Sequence, residues 1–590
     1  MTLAILLLAL TSPDGKVTLT LESHPAPHLS VTLAGRTVLE PSPLVFTLDG
    51  ADIAAGARPG GATRGRTSDC SMASVPFACK VPYTLELRAC NDGAAFRHIV
   101  PGSGSRVPGE ATAFRLPAGS TVWSHDLEGH YEAVHTRRAL AHFPSGQWVA
   151  PPATYQLPDG AGYASITEAA LYHYAGMALQ ADGQGALVLR LGHEHPPSYP
   201  FRLRYKDDVE RLKTPAAVTG PITTPWRTLL IGKDLNALVN SRMIRALSPA
   251  PDPTLFPQGA QTPWIKPGRA VWKYLDGGQS DAATVREFSR LAAQLGFEYQ
   301  VVEGFWQRWP VDELKSVIAD SRAQGIRLIL WKHSNQLRTP EARKQFFDLI
   351  ADAGAAGAKI DFFDHEAKAV VDLYEILLRE AAQRKLVLNF HGANKPTGET
   401  YTWPNELTRE AVRGMESRKA ERARHDATLP FTRLLAGPAD YTPVHFGERR
   451  NDTTWAHQLA TAVAFTSGLL TYAAHPKSLL DSPAVELIKS IPAAWDETRV
   501  LPGSAIGEVA VLARRKGATW FVAVINGAEP RKLPLDLSFL PAGRYRALAA
   551  AETPGNSASV QMQSAEWTKA TKRPLDLPAG GGFVARLTRE

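Results

Sequence analysis

The stretch GAKIDFFDHE (357–366), AKAVVDLYEILLREAAQRK (367–385) and LVLNFHGANKPTG (386–398) decides the fold. The first piece is a short apolar run that ends in carboxylates. The second has apolar residues at helical spacing with a charged opposite side. The third is a run of β-formers ending in His391-Gly392. Strand, helix, strand, with polar residues where each strand stops, is the pattern of a parallel β/α unit. In such units the strand C-termini and the loops after them converge on one face, where ionisable groups do chemistry.

Working outward, the same alternation runs from about 261 to 496. AVWKYLDGG (270–278), FEYQVVEGFW (297–306) and IRLILWKH (326–333) read as strands; 280–296, 311–325 and about 339–356 read as helices. WPNELTREAVRGME (403–416) follows the opening stretch, then ATLPFTRLLAG (427–437) leading to Asp440, a helix in 453–468, and a last strand, LLTYAAHP (469–476). Eight strand candidates predict a (β/α)8 barrel. Residues 16–260 alternate apolar and polar residues between Gly, Pro and Asn/Asp punctuation, which predicts an antiparallel β-sandwich. The same grammar returns at 497–590, where 508–527 reads as a hairpin turning at Lys516-Gly517 and predicts a smaller β-sandwich.

The chain has 590 residues, 44% hydrophobic, with 13 Trp, which is ample for several buried cores. A net charge of +7 is spread along the chain with no basic run interleaved with aromatics, so a nucleic-acid partner is not expected. Residues 1–15 carry an apolar run at 3–10, too short to span a bilayer. It reads as a truncated secretory signal, with a buried first strand as the alternative, and points to a periplasmic or secreted protein with the cytoplasm kept open. Cys70, Cys79 and Cys90 are the three cysteines; in an exported protein two can pair and leave one free.

Asp361, His391 and Glu416 are the groups expected on the barrel's polar face. Paired carboxylates from separate strand ends suit cleavage of a glycosidic bond. Asp364 and Glu366 read as helix-cap or loop carboxylates, and Glu168, in TEAALYHYAG (167–176), as a satisfied surface group. Trp306 and Trp331 can stack on a sugar or fill a core. Lys332, Lys359, Asn389, His391 and Glu303 are candidate substrate contacts, with Asp276 and Asp440 behind them, and Lys359 and Lys332 are the cations expected nearest Asp361. His391 has no second His at ligand spacing, which argues against a metal role.

Eight blocks carry a resemblance to glycoside hydrolase family 97: 167–176, TPWRTLLIG (224–232), TPWIKPGRAVW (262–272), GAKIDFFD (357–364), NFHGANKPTG (389–398), WPNELTREAVRGME (403–416), ATLPFTRLLAGPADYTP (427–443) and AAWDETRVLPG (493–503). The resemblance implies an N-terminal β-super-sandwich, a catalytic barrel and a C-terminal β-sandwich. It also implies exo-acting removal of terminal α-linked sugars from an oligosaccharide or α-glycoside, and dependence on calcium. Inverting members look as though they carry a base Glu just after the His of the fifth strand, where this chain has Gly392. Retaining members place a nucleophilic Asp at the end of the fourth strand, where this chain has Asp361. The resemblance thus implies a retaining α-galactosidase with Asp361 as nucleophile and Glu416 as acid/base. Glu416 is then expected to have a raised pKa. It further implies Glu168, Glu410 and Glu416 as calcium ligands. The alternatives are an α-glucosidase, a related pyranosidase such as one for L-arabinopyranosides, or a carbohydrate-binding protein without catalysis.

Overall fold

The computed structural model describes residues 6–54, 56–275, 279–418 and 421–590; Asp276 lies outside them. The chain divides into two compact units. The first comprises residues 1–250 with 364–376 and 394–401; the second comprises 251–363, 377–393 and 402–590. The change of unit at Ala250 falls shortly before the change of grammar expected near 261.

The first unit is antiparallel. Leu7–Thr11, Val17–Glu22, His28–Leu33 and Arg36–Pro43 form a four-stranded meander. Val17–Glu22 alternates buried and half-exposed residues along its length, as the sequence pattern requires of a strand with one face on a core. An eleven-stranded sheet follows, with Tyr163–Ala169 and Trp226–Gly232 as central neighbours. Leu19, Leu85, Leu87, Ile166 and Leu229 belong to one buried cluster. Cys70 and Cys90 sit directly opposite each other on adjacent strands and are disulfide-bonded, while Cys79 is free.

The second unit holds the barrel. Its parallel strands are β1 (Gly268–Trp272), β2 (Tyr299–Val302), β3 (Arg327–His333), β4 (Gly357–Asp361), β5 (Val387–Phe390), β6 (Glu406–Arg409) and β7 (Leu469–Tyr472). They pair in the order β6-β5-β4-β3-β2-β1-β7. Helices α1 (Ala282–Leu295), α2 (Val311–Ala323), α3 (Pro340–Asp352) and α4 (Lys368–Ala382) connect β1 to β5, and α5 (Trp455–Ala464) precedes β7. Their ends are written in the sequence. Asp281 caps α1 by accepting from the Thr284 N–H, and Gly296 ends it at φ +70°. Thr339 caps α3 ahead of Pro340.

Among the described residues, seven strands rather than eight carry the ladder. The segment 437–444 closes the barrel between β6 and β7 without forming a regular strand. The Asp440 N–H donates to Arg409 O, Ala439 to Thr466 O, and Ala473 to Pro443 O. The reason is local. Gly437 and Pro438 break the backbone, and Thr442 and Val444 adopt positive φ, +54° and +68°, a conformation that a strand cannot contain.

C-terminal to the barrel, a six-stranded antiparallel sheet and a two-stranded ribbon (Arg531–Asp536 with Lys572–Leu577) share one core that includes Val511, Trp520, Val524, Leu535 and Leu575. The expected hairpin is there, Val509–Lys516 paired to Thr519–Asn526. Among the described residues, no helix is long and apolar enough to cross a membrane.

Candidate active site

Strand parity sets the wall of the site. Side chains two apart on a strand share a face. Lys359 and Asp361 on β4 therefore point the same way, as do Asn389 and His391 at the end of β5. Lys359 is in register with Trp331 on β3 and Asn389 on β5. The same parity turns Lys332 away from them. Its ammonium donates to Gln307 at 2.7 Å and sits 5.6 Å from the Phe346 ring on α3. The expectation of Lys332 as a cation beside Asp361 is not met, and Lys359 alone takes that part.

Asp361 is fixed at both oxygens. The Trp331 indole Nε1–H donates to Oδ2 at 2.9 Å, and the Phe362 backbone N–H to Oδ1 at 2.7 Å. The second bond requires a sharp turn, and Phe362 adopts φ +66°, costly for a bulky residue. The turn is held by Ser334, which donates to Phe362 O, and by the Phe363 N–H, which donates to Gly392 O. Trp306 is buried and donates to Trp331 O at 2.9 Å, bracing β3 rather than offering a stacking face.

Glu303, just past β2, accepts from Trp272 Nε1 at 2.7 Å and Lys359 Nζ at 3.2 Å. Lys359 lies 4.4 Å over the Trp272 ring. Burial opposes its charge, but Glu303, Glu416, Asp361 and Glu410 hold the ammonium above its ordinary range.

The other half of the site gathers around His391. Its Nε2 is 2.9 Å from Asp440 Oδ2, and its Nδ1 lies 3.3 Å from Glu410 Oε2 and 3.4 Å from Glu416 Oε1. Asn389 donates to the same Asp440 oxygen at 2.6 Å, and the Gly392 N–H donates to Glu410 Oε2 at 2.9 Å. Gly392 stands at φ +50°. Burial opposes the imidazolium; Glu410 first, then Asp440 and Glu416, outweigh it and hold the ring protonated well above the usual range.

The two glutamates divide. Burial, then the charges of Glu416 and Asp361, outweigh His391 and push Glu410 up to about 8. Burial works in the same sense on Glu416, but Lys359, His391 and Arg449 overcome it and draw that carboxyl down to about 2. The expectation of a raised Glu416 is thus corrected. Three cations act on Glu416, so of the pair Glu410 is the carboxyl that keeps a proton more readily.

This donor set suits a hard cation. The ligand atoms of His391, Glu410 and Glu416 all lie within 4.8 Å of one another. Asp440 Oδ1 and Asn389 Oδ1 are buried without a hydrogen-bond partner, and the carboxyl groups outnumber Lys359 and His391. Carboxylates and amide oxygens are what calcium prefers. The imidazole is not, so Glu410 and Glu416 are the candidate ligands here.

Glu168 belongs to the first unit and is fully buried, not a surface group. It pairs with Arg227 and, at 2.6 Å, with Lys395. Arg227 also grips Glu110, and Lys395 also reaches Glu366 at 2.6 Å. Glu366, read from the sequence as a cap or loop carboxylate, is fully buried and accepts from Tyr131, Asn394 and Lys395. Asp364 is buried as well, at φ +60°.

Trp272 and the buried arginines between β6 and β7 have no role that the sequence alone makes legible. Trp272 ends a strand and shares parity with the face, a signal of place but not of role. The arginines bond to backbone carbonyls, which leave no pattern in the sequence.

The model for the glycosyl-hydrolase 97 N-terminal domain matches residues 10–249, that for glycoside hydrolase 97 residues 268–412, and that for the glycosyl-hydrolase 97 C-terminal, oligomerisation domain residues 494–588. A probable retaining α-galactosidase of Streptomyces bingchenggensis is 32% identical over 547 residues, spanning 86% of this chain and 81% of that protein. A retaining α-galactosidase of Bacteroides thetaiotaomicron is 26% identical, spanning 98% and 96%. Two solved structures share the fold with a TM-score of 0.85 and 24% identity. One is a family 97 enzyme from Pseudoalteromonas sp. strain K8 in complex with acarbose, covering 99% of this chain and 100% of that one. The other is a β-arabinopyranosidase, covering 98% and 100%. The chain belongs to glycoside hydrolase family 97, and it is a glycosidase.

Proposed function

We propose that this glycosidase removes terminal α-linked galactose from oligosaccharides by double displacement. The observation that carries the reading is the preparation of Asp361: two N–H donors fix its carboxylate on the barrel face, while the fifth-strand position is Gly392, which offers no base. The two curated relatives named retaining α-galactosidases agree with it.

In the first half, an Asp361 oxygen attacks the anomeric carbon. The bond from that carbon to the aglycone oxygen breaks, and the oxygen leaves with the proton of the Glu410–Glu416 pair, delivered by Glu416. In the second half, Glu416 takes a proton from water, the water oxygen bonds to the anomeric carbon, and Asp361 departs as carboxylate. Charge changes assist the exchange of roles. Ionised Asp361 raises the neighbouring Glu410; once Asp361 is an ester that repulsion is gone, and the pair gives up its proton more readily. Retention needs the two carboxyls about 5–5.5 Å apart. Glu303 and Lys359 are the candidates to bind sugar hydroxyls.

Glu410 and Glu416 would hold calcium. Bound there, the ion supplies positive charge that offsets the crowded carboxylates and polarises hydroxyl oxygens. Exchange into EDTA is expected to lower activity and thermal stability together, with calcium restoring both.

The decisive measurement is the anomer of the first-released sugar by NMR, using an α-galactoside. Retention supports the reading, and the opposite anomer rejects it. A parallel panel of p-nitrophenyl α-galactoside, α-glucoside and β-L-arabinopyranoside tests the sugar: faster turnover of either other glycoside moves the specificity assignment. We further infer export to an oxidising compartment, because the Cys70–Cys90 pair persists where thiols are not kept reduced. Free thiols at both positions in protein taken from its native host would reject that location.

A further inference from the structure

The loop after β6 carries Glu410 and Glu416, and the segment facing it carries Asp440. Neither is held by a regular ladder. Both contain residues in costly conformations: Ala411 at φ +42°, Thr442 at +54° and Val444 at +68°. Such strain persists only where the surroundings over-determine it.

Two buried guanidinium groups do so. Arg433 is 2% exposed and uses all three nitrogens on backbone carbonyls. Its Nε donates to Ala411 O at 2.8 Å and Nη1 to Gly437 O at 2.9 Å. Its Nη2 serves Arg409 O at 3.2 Å, Glu410 O at 3.0 Å and Pro438 O at 2.9 Å. One side chain therefore ties the backbone of Glu410 to the approach to Asp440. Arg422 is fully buried and brackets Glu416. Its Nη2 donates to Gly414 O at 3.4 Å and Ser417 O at 2.8 Å, and its Nη1 to the Tyr441 hydroxyl at 2.7 Å. Its Nε donates to Arg449 O at 3.2 Å, and Arg449 in turn donates to Glu416 O at 2.7 Å.

We propose that Arg422 and Arg433 are positioning residues that set the acid loop, doing with side chains what strand pairing does elsewhere in the barrel. This rests on the reading of Glu416 as acid/base. Only a planar fork with several fixed donors can hold carbonyls from two segments, so Lys is not an equivalent. A displacement of about 1 Å in a catalytic group can cost about 100-fold. The loss falls where proton donation is limiting.

The test compares Arg422→Lys and Arg433→Lys with wild type on two α-galactosides, one with an alkyl leaving group and one with dinitrophenolate, which departs without an acid. Expected is a fall in kcat of about 10- to 100-fold on the alkyl glycoside, a several-fold smaller fall on the activated one, and little change in KM. Guanidinium or ethylguanidinium added to Arg422→Ala is expected to restore part of the alkyl-glycoside activity. Tyr441→Phe removes one partner of Arg422 and should show a weaker split of the same sign, which covers the case of a variant that does not fold. Arg343→Ala is the control. That arginine is buried in the same barrel unit, bonded to Glu380 and to the Leu337 and Arg338 carbonyls, and should lower Tm without a split. Equal losses on both substrates, matching that control, overturn the proposal. A split in Glu416→Gln with none in the arginine variants overturns the clamp alone. No split in Glu416→Gln overturns the acid assignment and the clamp's purpose together.

Discussion

The barrel positions its chemistry in two different ways. Along β1 to β5 the side chains stand where strand parity and the parallel ladder put them: Trp272, Trp331, Lys359, Asp361, Asn389 and His391. Between β6 and β7, by contrast, Glu410, Glu416 and Asp440 sit on irregular backbone tied down by Arg422, Arg433 and Arg449. The difference teaches where tolerance lies. A ladder spreads its hold over many equivalent bonds, so no one of them decides the geometry. A clamp concentrates its hold in a few donors, and losing one releases a whole loop.

The largest expected effect sharpens the first region. Asp361→Gly should lower kcat by about 10⁴-fold, with azide restoring turnover and giving a galactosyl azide of inverted anomer, identified by NMR. Activity unaffected by the substitution would break the assignment. Next, Glu416→Gln in the clamped region should cost about 10²- to 10⁴-fold on substrates with poor leaving groups, read from kcat across a leaving-group series. A smaller effect tests the ladder side again. Trp331→Phe removes the indole donor to Asp361 while keeping an aromatic ring. A hydrogen bond to a charged group is worth about 1.5–3 kcal/mol, so kcat should fall about 10- to 100-fold with Tm nearly unchanged.

The smallest effect concerns stability and spans both units. His98 in the first and His425 in the second are fully buried, and burial lowers each imidazole to about 4. An unfolded His takes its proton near 6.5, so below that pH the unfolded chain binds protons that these folded rings refuse. Stability is therefore full above about pH 6.5 and is lost as pH falls toward 4, by at most about 3 kcal/mol for each ring. Tm measured across this window should fall with acid, and His425→Gln should flatten the slope. A Tm that rises between pH 6.5 and 4 would contradict the burial of these rings as neutral groups.

Much of the ladder side was legible in the sequence, because period-two spacing is a property of neighbouring residues. Lys359-Ile360-Asp361 and Asn389-Phe390-His391 state their own geometry, and parity also excludes Lys332. What Trp331 does was not legible: a side chain that can stack, fill or donate is assigned only by its partner, and that partner is thirty residues away on another strand. The clamped side was legible only as a pair of glutamates. Its direction of titration is not legible there, because Lys359 and His391, both distant in sequence, decide which glutamate keeps the proton. The barrel's count of strands failed at the same place, where Gly437, Thr442 and Val444 replace a pairing strand with turns.

The glycine after His391 sets what its corner of the barrel can accept. Its backbone lies in the left-handed region, which an acidic residue tolerates poorly, and its amide is engaged by Glu410. A single codon change from Gly392 to Glu would therefore bring a carboxylate and a backbone displacement in the same step, loosening Glu410 as it arrives. A carboxylate at this position thus calls for concerted remodelling of the fifth-strand corner, a demand set by conformation as much as by chemistry.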